Sequence, residues 1–147
     1  MAFKQVDISK KPVVYREATA TGRIRLKPST IELVRKGKIE KGDPISLAAT
    51  TAVLAVKQTP MVVALTHPLK IESTLPKVEV GKDWIQVTVT VSAHEKTGVE
   101  MEALTAVSVA LLNIWDVVKA YEKDPDGQYP STEIESIRVT KKVKRAS

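Results

Sequence analysis

The sequence predicts an α+β sandwich of the ferredoxin-like βαββαβ kind, with an additional helix and an antiparallel sheet covered by helices. Three observations carry this. The elements read in the order β-α-α-β-β-α-β, and merging the two early helices into one crossover gives the split βαβ pattern. The stretch from Lys70 to Lys96 alternates apolar and polar residues around one turn, as a β-hairpin does. A long segment from Lys96 onward repeats its apolar residues at helical spacing, which supplies a stripe able to cover one sheet face. The 147 residues fit a single domain spanning 1–147, without internal repeat or linker. A domain of this size can bury most of its apolar surface without disulfide or metal staples.

Taken in order, "ATATGRIRL" from Ala18 to Leu26 reads as a strand. "PSTIELVRKG" reads as a short helix, with Ser29 and Glu32 at capping-box spacing and Gly37 ending it. In "KGDP", Asp43 can cap and Pro44 suits a first helical position, so "ISLAATTAVLAVKQT" follows as a helix whose small residues permit close packing. "MVVALTHPLK" is an apolar run broken at His67-Pro68 and predicts a buried strand leading into a loop. In "WIQVTVTVSAHEK", Trp84, Gln86, Thr88 and Thr90 share one face, and Ile85, Val87, Val89 and Val91 the other. The long helix begins near Thr97 and Glu100, a second capping-box pair. "DPDGQYPST" is a loop by its Pro, Gly and Asp content, and "IESIRVTKK" is the last strand.

Composition narrows the chemistry. There are no cysteines, which excludes disulfides, thiolate nucleophiles and cysteine metal sites. The two histidines, His67 and His94, do not form a helical ligand pair, so no metal site is expected. No unbroken apolar run reaches the roughly 18 residues of a membrane span, and the first residues lack the apolar core of a secretory leader. A soluble protein of the cytoplasm, without membrane partner, is expected. The net charge of +6 attracts phosphates. Four of the cations crowd into the terminal "TKKVKRAS", which reads as a solvated tail.

The long helix carries a puzzle in "LLNIWDVVKAY". On a helical wheel Leu104, Val107, Leu111, Ile114 and Val118 gather as the core stripe. Glu102, Thr105, Asn113, Asp116, Lys119 and Lys123 gather opposite, with Val109 and Leu112 among them. Asp116 and Lys119 therefore face outward within reach of each other. A surface ion pair of this kind is common and worth little. The interleaved apolar residues, however, suit a face that something covers. A carboxylate beside an ammonium under cover can move protons, for about 10²- to 10⁴-fold in rate. Glu102 shares the face but lies fourteen positions earlier, roughly 21 Å along the axis, so both cannot touch one small reacting group: either the substrate is long, the helix starts late, or one site borrows residues from two subunits.

Several segments together resemble the MoaC family, the cyclic pyranopterin monophosphate synthases of molybdenum cofactor biosynthesis. They are "VDISKKPVVYREATATGRI", "KGDP", "AVKQT", "LTHPL", "KTGVEMEALTAVSVALLNIWDVVKA" and "IRVTKK", in the family's order and over nearly the whole chain. The resemblance implies a lyase that converts 3′,8-cyclo-7,8-dihydroguanosine 5′-triphosphate to cyclic pyranopterin monophosphate and releases diphosphate. It also implies a homohexamer, a trimer of dimers, with sites at subunit interfaces. By motif, the catalytic residues would be Asp116, Lys41, Lys119 and His67. The substrate-binding residues would be Leu65, Thr66, His67, Glu100, Met101, Glu102, Asp7, Lys11, Arg16 and Lys142. No cofactor is implied, although Mg²⁺ could accompany the triphosphate without dedicated ligands. Three departures stand out: Thr66 where many members have cysteine, Trp115 in place of tyrosine before the aspartate, and "KKVKRAS" where the family has a glycine-rich tail.

Two other classes fit the sequence less well. An RNA-binding module of the same topology would need aromatic stacking platforms on its strands, and paired aromatics are lacking there. A purely structural oligomer would use the polar helix face for assembly alone. Neither nucleic acid nor membrane is an expected partner.

Overall fold

The computed structural model describes residues 2–146. The elements are β1 (Val14–Arg25), α1 (Pro28–Arg35), α2 (Pro44–Val62), β2 (Ser73–Val80), β3 (Trp84–Glu95), α3 (Glu100–Glu122) and β4 (Glu133–Arg145). The sheet order is β2-β3-β1-β4, antiparallel at every pairing. This is the expected α+β ferredoxin-like sandwich, with α1 as the additional helix.

Alternation decides which way the sheet faces. Even-numbered β1 residues Ala18, Ala20 and Ile24 and odd-numbered β3 residues Ile85, Val87, Val89, Val91 and Ala93 are buried against the helices. The opposite face carries threonines whose hydroxyls pair across strands, Thr19 with Thr90 at 2.8 Å and Thr21 with Thr88 at 3.0 Å. Gly22 lets α3 approach the sheet: a Cβ there would lie 2.9 Å from Val107, Leu111 and Ile137 side-chain atoms. On α3, Val107, Leu111, Ile114 and Val118 are buried as the stripe predicts, while Leu104 is only half-buried. Burying a Leu or Ile side chain contributes about 1.5–3 kcal/mol, so Leu111→Ala alone should cost about 2–5 kcal/mol. Helix α2 lies along α3. Ala48, Ala52, Ala55 and Thr59 are buried on one helix, and Ala103, Ala106, Ala110 and Val117 on the other, at the three- and four-residue spacings that mesh packed helices.

Several expectations are corrected. The N-cap of α1 is Lys27, and Ser29 caps nothing. The Glu122 carboxylate serves that end instead, accepting from the Lys27 N–H at 3.0 and 3.3 Å and from the Thr30 hydroxyl. Thr97 likewise makes no cap: α3 starts after Val99, with Glu100 at its first position. Asp43 does cap α2, accepting from the Ile45 and Ser46 N–H groups. The run from Met61 is not a buried strand. Helix α2 continues to Val62, and Met61, Val62 and Leu65 point into solvent, because both edges of this sheet belong to other segments. The basic tail is not loose either. It extends β4 to Arg145, which pairs with Tyr15 and lays its guanidinium 4.5 Å over the Tyr15 ring. Main-chain pairing is indifferent to side-chain charge, and lysines suit an edge strand.

Helices α2 and α3 are each long and apolar enough, by length and composition alone, to cross a membrane. In this fold α3 spends half of that apolar window inside the sandwich. The outward apolar side of α2 includes Leu54, Met61 and Val62, and Leu112 stands exposed on α3.

Candidate active site

The residues singled out by sequence fall into two groups, near opposite ends of α3. The first surrounds Asp116. Lys119, one turn on, places Nζ 3.0 Å from Oδ1. Lys41, from the loop between α1 and α2, places Nζ 3.3 and 3.4 Å from the two carboxylate oxygens. The Lys119 hydrogen bond, then that of Lys41 and the charges of both, hold the Asp116 carboxyl below the usual aspartate value. In return, the hydrogen bond and charge of Asp116 raise the Lys119 ammonium. The trio carries two positive charges and one negative, a net cation suited to phosphate. Within one chain it is open to water: the side chains of Asp116, Lys41 and Lys119 are 55%, 52% and 42% exposed. The cover inferred from the interleaved apolar residues does not come from this chain.

The second group lines a cleft of about 770 Å³. Lys11, Leu65, Thr66, His67, Glu100, Met101 and Glu102 all border it. The N-terminal arm forms one wall, where the Gln5 side-chain amide donates to the Thr66 carbonyl at 2.8 Å and the Lys96 ammonium to the Ser9 carbonyl at 3.2 Å. Glu100 meets Lys142, reaching in from β4, at 2.6 Å. Burial pushes the Glu100 carboxyl up, but the Lys142 hydrogen bond, with help from Arg16, holds it below the usual value. Glu102 was expected on the outward polar face. It is instead almost fully buried. Burial, with the neighbouring Glu100 and Glu95 charges, pushes its carboxyl up. The two acids of "GVEME", one residue apart, are thus shifted in opposite directions, Glu100 down and Glu102 up.

Three expected binding residues stand off from the cleft wall: Lys142 meets it only through Glu100, and Arg16 and Asp7 are turned onto backbone. Arg16 is buried, and donates to the carbonyls of Glu95 at 3.4 Å and Lys96 at 3.3 Å. It clamps the β3–α3 connection. Asp7 is turned onto its own backbone, accepting from the Ser9 N–H at 2.8 Å. That bond lowers its carboxyl first, with smaller help from His67 and Lys96. Lys4 borders the cleft and was not singled out by sequence; nothing in "FKQV" separates it from a solvated lysine. Among the described residues, no three His, Cys, Asp or Glu side chains are placed to hold a metal ion.

Asp116 lies fourteen positions beyond Glu102 on α3, roughly 21 Å along the axis. The structure therefore keeps the charged trio and the cleft apart within one chain.

The model of the MoaC family matches residues 5–144. A Pyrococcus abyssi protein named "Probable cyclic pyranopterin monophosphate synthase" is 54% identical over 144 residues, covering 98% of this chain and 91% of its own. Proteins bearing the same name from Thermococcus kodakarensis and Sulfurisphaera tokodaii are 56% and 52% identical. Each covers 96% of this chain, and the match covers 90% and 93% of theirs.

Proposed function

The chain belongs to the MoaC family, and from that membership we propose that it is a cyclic pyranopterin monophosphate synthase, a lyase of molybdenum cofactor biosynthesis. Its substrate is 3′,8-cyclo-7,8-dihydroguanosine 5′-triphosphate, and its products are cyclic pyranopterin monophosphate and diphosphate. A substrate hydroxyl attacks the α-phosphorus and closes the cyclic phosphate. The bond to the bridging oxygen breaks, and diphosphate leaves with the electron pair. The ring rearrangement needs protons moved between nitrogen, carbon and oxygen.

One observation supports the site assignment above others: Asp116 stands between two ammonium groups that reach it from different elements. Paired in this way, the carboxylate resists protonation and the Lys119 ammonium resists deprotonation. A solvent-filled trio is therefore a poor proton shuttle. Removing water opposes both shifts, because burial disfavours each charged form. The chemistry calls for a cover, and a second subunit is its natural source. Such a subunit would also bring the cleft residues of one chain to the trio of another across the 21 Å that separates them within α3, an axial estimate of roughly that size. The exposed apolar residues Leu54, Met61, Val62 and Leu112 favour assembly of this kind, and a homohexamer, a trimer of dimers, is the state we assign.

In the assembled site Lys41 and Lys119 donate protons, Asp116 orients them and accepts protons, and His67 orients the substrate. Lys11 and Lys142 attract the polyphosphate, with Leu65, Thr66, Met101, Glu100 and Glu102 forming the wall that holds the ring system. Arg16 and Asp7 act on the backbone around that wall. No resident cofactor is assigned, and Mg²⁺ would enter as a counterion of the triphosphate. A nucleotide-derived substrate and a chain without cysteine suit the cytoplasm. An RNA-binding role is disfavoured: the open sheet face carries Tyr15 and Trp84, which the strand register puts at opposite ends of β1.

The test is Asp116→Ala, assayed for diphosphate release and pterin formation. Turnover should fall by about 10²- to 10⁴-fold, with the oligomer unchanged by light scattering. Near wild-type turnover would defeat the assignment.

A further inference from the structure

Lys41 sits on a loop, whereas the two groups it works beside sit on a helix. Gly42, directly after it, has φ +124°, a conformation that only glycine adopts readily. Ile39, two residues before, is buried and pins the near side of the loop. The Gly42 N–H closes a turn over Glu40 and Lys41 by donating to the Ile39 carbonyl at 3.1 Å, and a further restraint comes from α3. The Glu40 N–H donates to the Tyr121 phenol oxygen at 2.9 Å. Among the described residues this is the one hydrogen bond from the loop's backbone to α3. The Tyr121 ring packs against the core, so the hydroxyl is held in place rather than free to swing. Asp116, Lys119 and Tyr121 thus share one helix, and Tyr121 reaches across to the residue next to Lys41.

We propose that Tyr121 is a positioning residue: its hydroxyl fixes the Glu40–Lys41 peptide so that the Lys41 ammonium stays within reach of Asp116. This rests on the reading that Lys41 serves the reaction. Side-chain flexibility alone would let a lysine wander over several ångströms, and small displacements at a reacting centre cost rate steeply. Tying the adjacent peptide to the helix that carries the partner carboxylate removes part of that freedom before substrate arrives. Tyr121 does not touch the trio, and acts only through the loop.

The experiment uses the full chain and the variants Tyr121→Phe, Lys41→Ala and the pair together. Phenylalanine keeps the ring and removes the acceptor. One hydrogen bond of ordinary strength corresponds to about 3- to 10-fold. Turnover by Tyr121→Phe should therefore fall by about that factor, with KM within about twofold. The Glu40 amide should exchange with deuterium faster by a similar factor. In the Lys41→Ala background the residual turnover, read over long incubations, should not fall further on adding Tyr121→Phe. A merely structural tyrosine would lower both backgrounds alike, and that result would overturn the proposal. Unchanged turnover or unchanged Glu40 exchange in Tyr121→Phe would overturn it too. Wild-type turnover by Lys41→Ala would instead remove the assignment of Lys41 itself, and the positioning role with it.

Discussion

Replacing Glu122 by alanine should destabilise this protein strongly. Glu122 is fully buried. Its carboxylate accepts from the Lys27 N–H, the Thr30 hydroxyl and the Thr132 hydroxyl, the last at 2.7 Å. It therefore ties the end of α3 to the start of α1 and to the approach to β4. Lys27 is the N-cap position of α1, so the anion also lies at the positive end of that helix. Alanine leaves three donors unpaired, the buried Thr30 and Thr132 hydroxyls and the half-buried Lys27 N–H, at about 1 kcal/mol or more each, and removes one buried methylene, about 0.8 kcal/mol. The expected loss is about 4–6 kcal/mol. For a domain of this length that corresponds to a fall in Tm of roughly 10–20 °C. Glu122→Gln is the informative control. Its carbonyl can keep the Lys27 and Thr30 bonds, while its NH₂ donates to Thr132, whose hydroxyl turns to accept. Its cost should stay near 1–2 kcal/mol, the difference between charged and neutral acceptors. Thermal and urea unfolding at one fixed protein concentration measure both variants. Equal losses for Gln and Ala, or less than about 1 kcal/mol for Ala, would refute the argument.

Three further outcomes follow from named contacts. The folded-state pKa of Asp116 is depressed, so its ion pairs contribute above the unfolded value of about 3.9 and are lost as pH falls through the lower folded value. Carboxyl ¹³C NMR should show Lys119→Met moving the Asp116 midpoint up toward the ordinary range, and an unmoved midpoint would remove the main cause assigned here. Gly22→Ala should overpack the contact with Val107 and Leu111 and cost about 1–3 kcal/mol in urea unfolding. Leu112→Asp combined with Leu54→Asp adds charge to exposed apolar positions. Light scattering should report smaller assemblies with unchanged far-ultraviolet circular dichroism, and a full-size oligomer would show that these faces lie outside the contacts.

How far the sequence could be read depended on the range of the interaction. The alternation of β3 places Ile85 to Val91 inward, as expected. The Asp43-Pro44 start of α2 was legible because a cap acts over two or three residues. The Asp116–Lys119 contact follows from helical spacing alone. The two capping boxes failed for the opposite reason. Ser29 matches a local pattern, but α1 is capped from Glu122, a residue 95 positions away. An apolar run such as "MVVAL" has no intrinsic preference between strand and helix end, and here no strand position was open to it.

The order of elements, the inward-facing residues of the hairpin and the core stripe of α3 were all determined by neighbours within one turn or one pleat. Such patterns are written in the chain itself. Tertiary structure alone decided that Lys41 would join Asp116 across 75 positions. It also decided that Arg16 would clamp backbone rather than line the cleft, that Glu102 would be buried, and that the basic tail would complete a sheet edge. A charged side chain has many local arrangements of nearly equal energy. Which partner it takes is chosen by the packing that brings distant segments together, not by its neighbours in sequence.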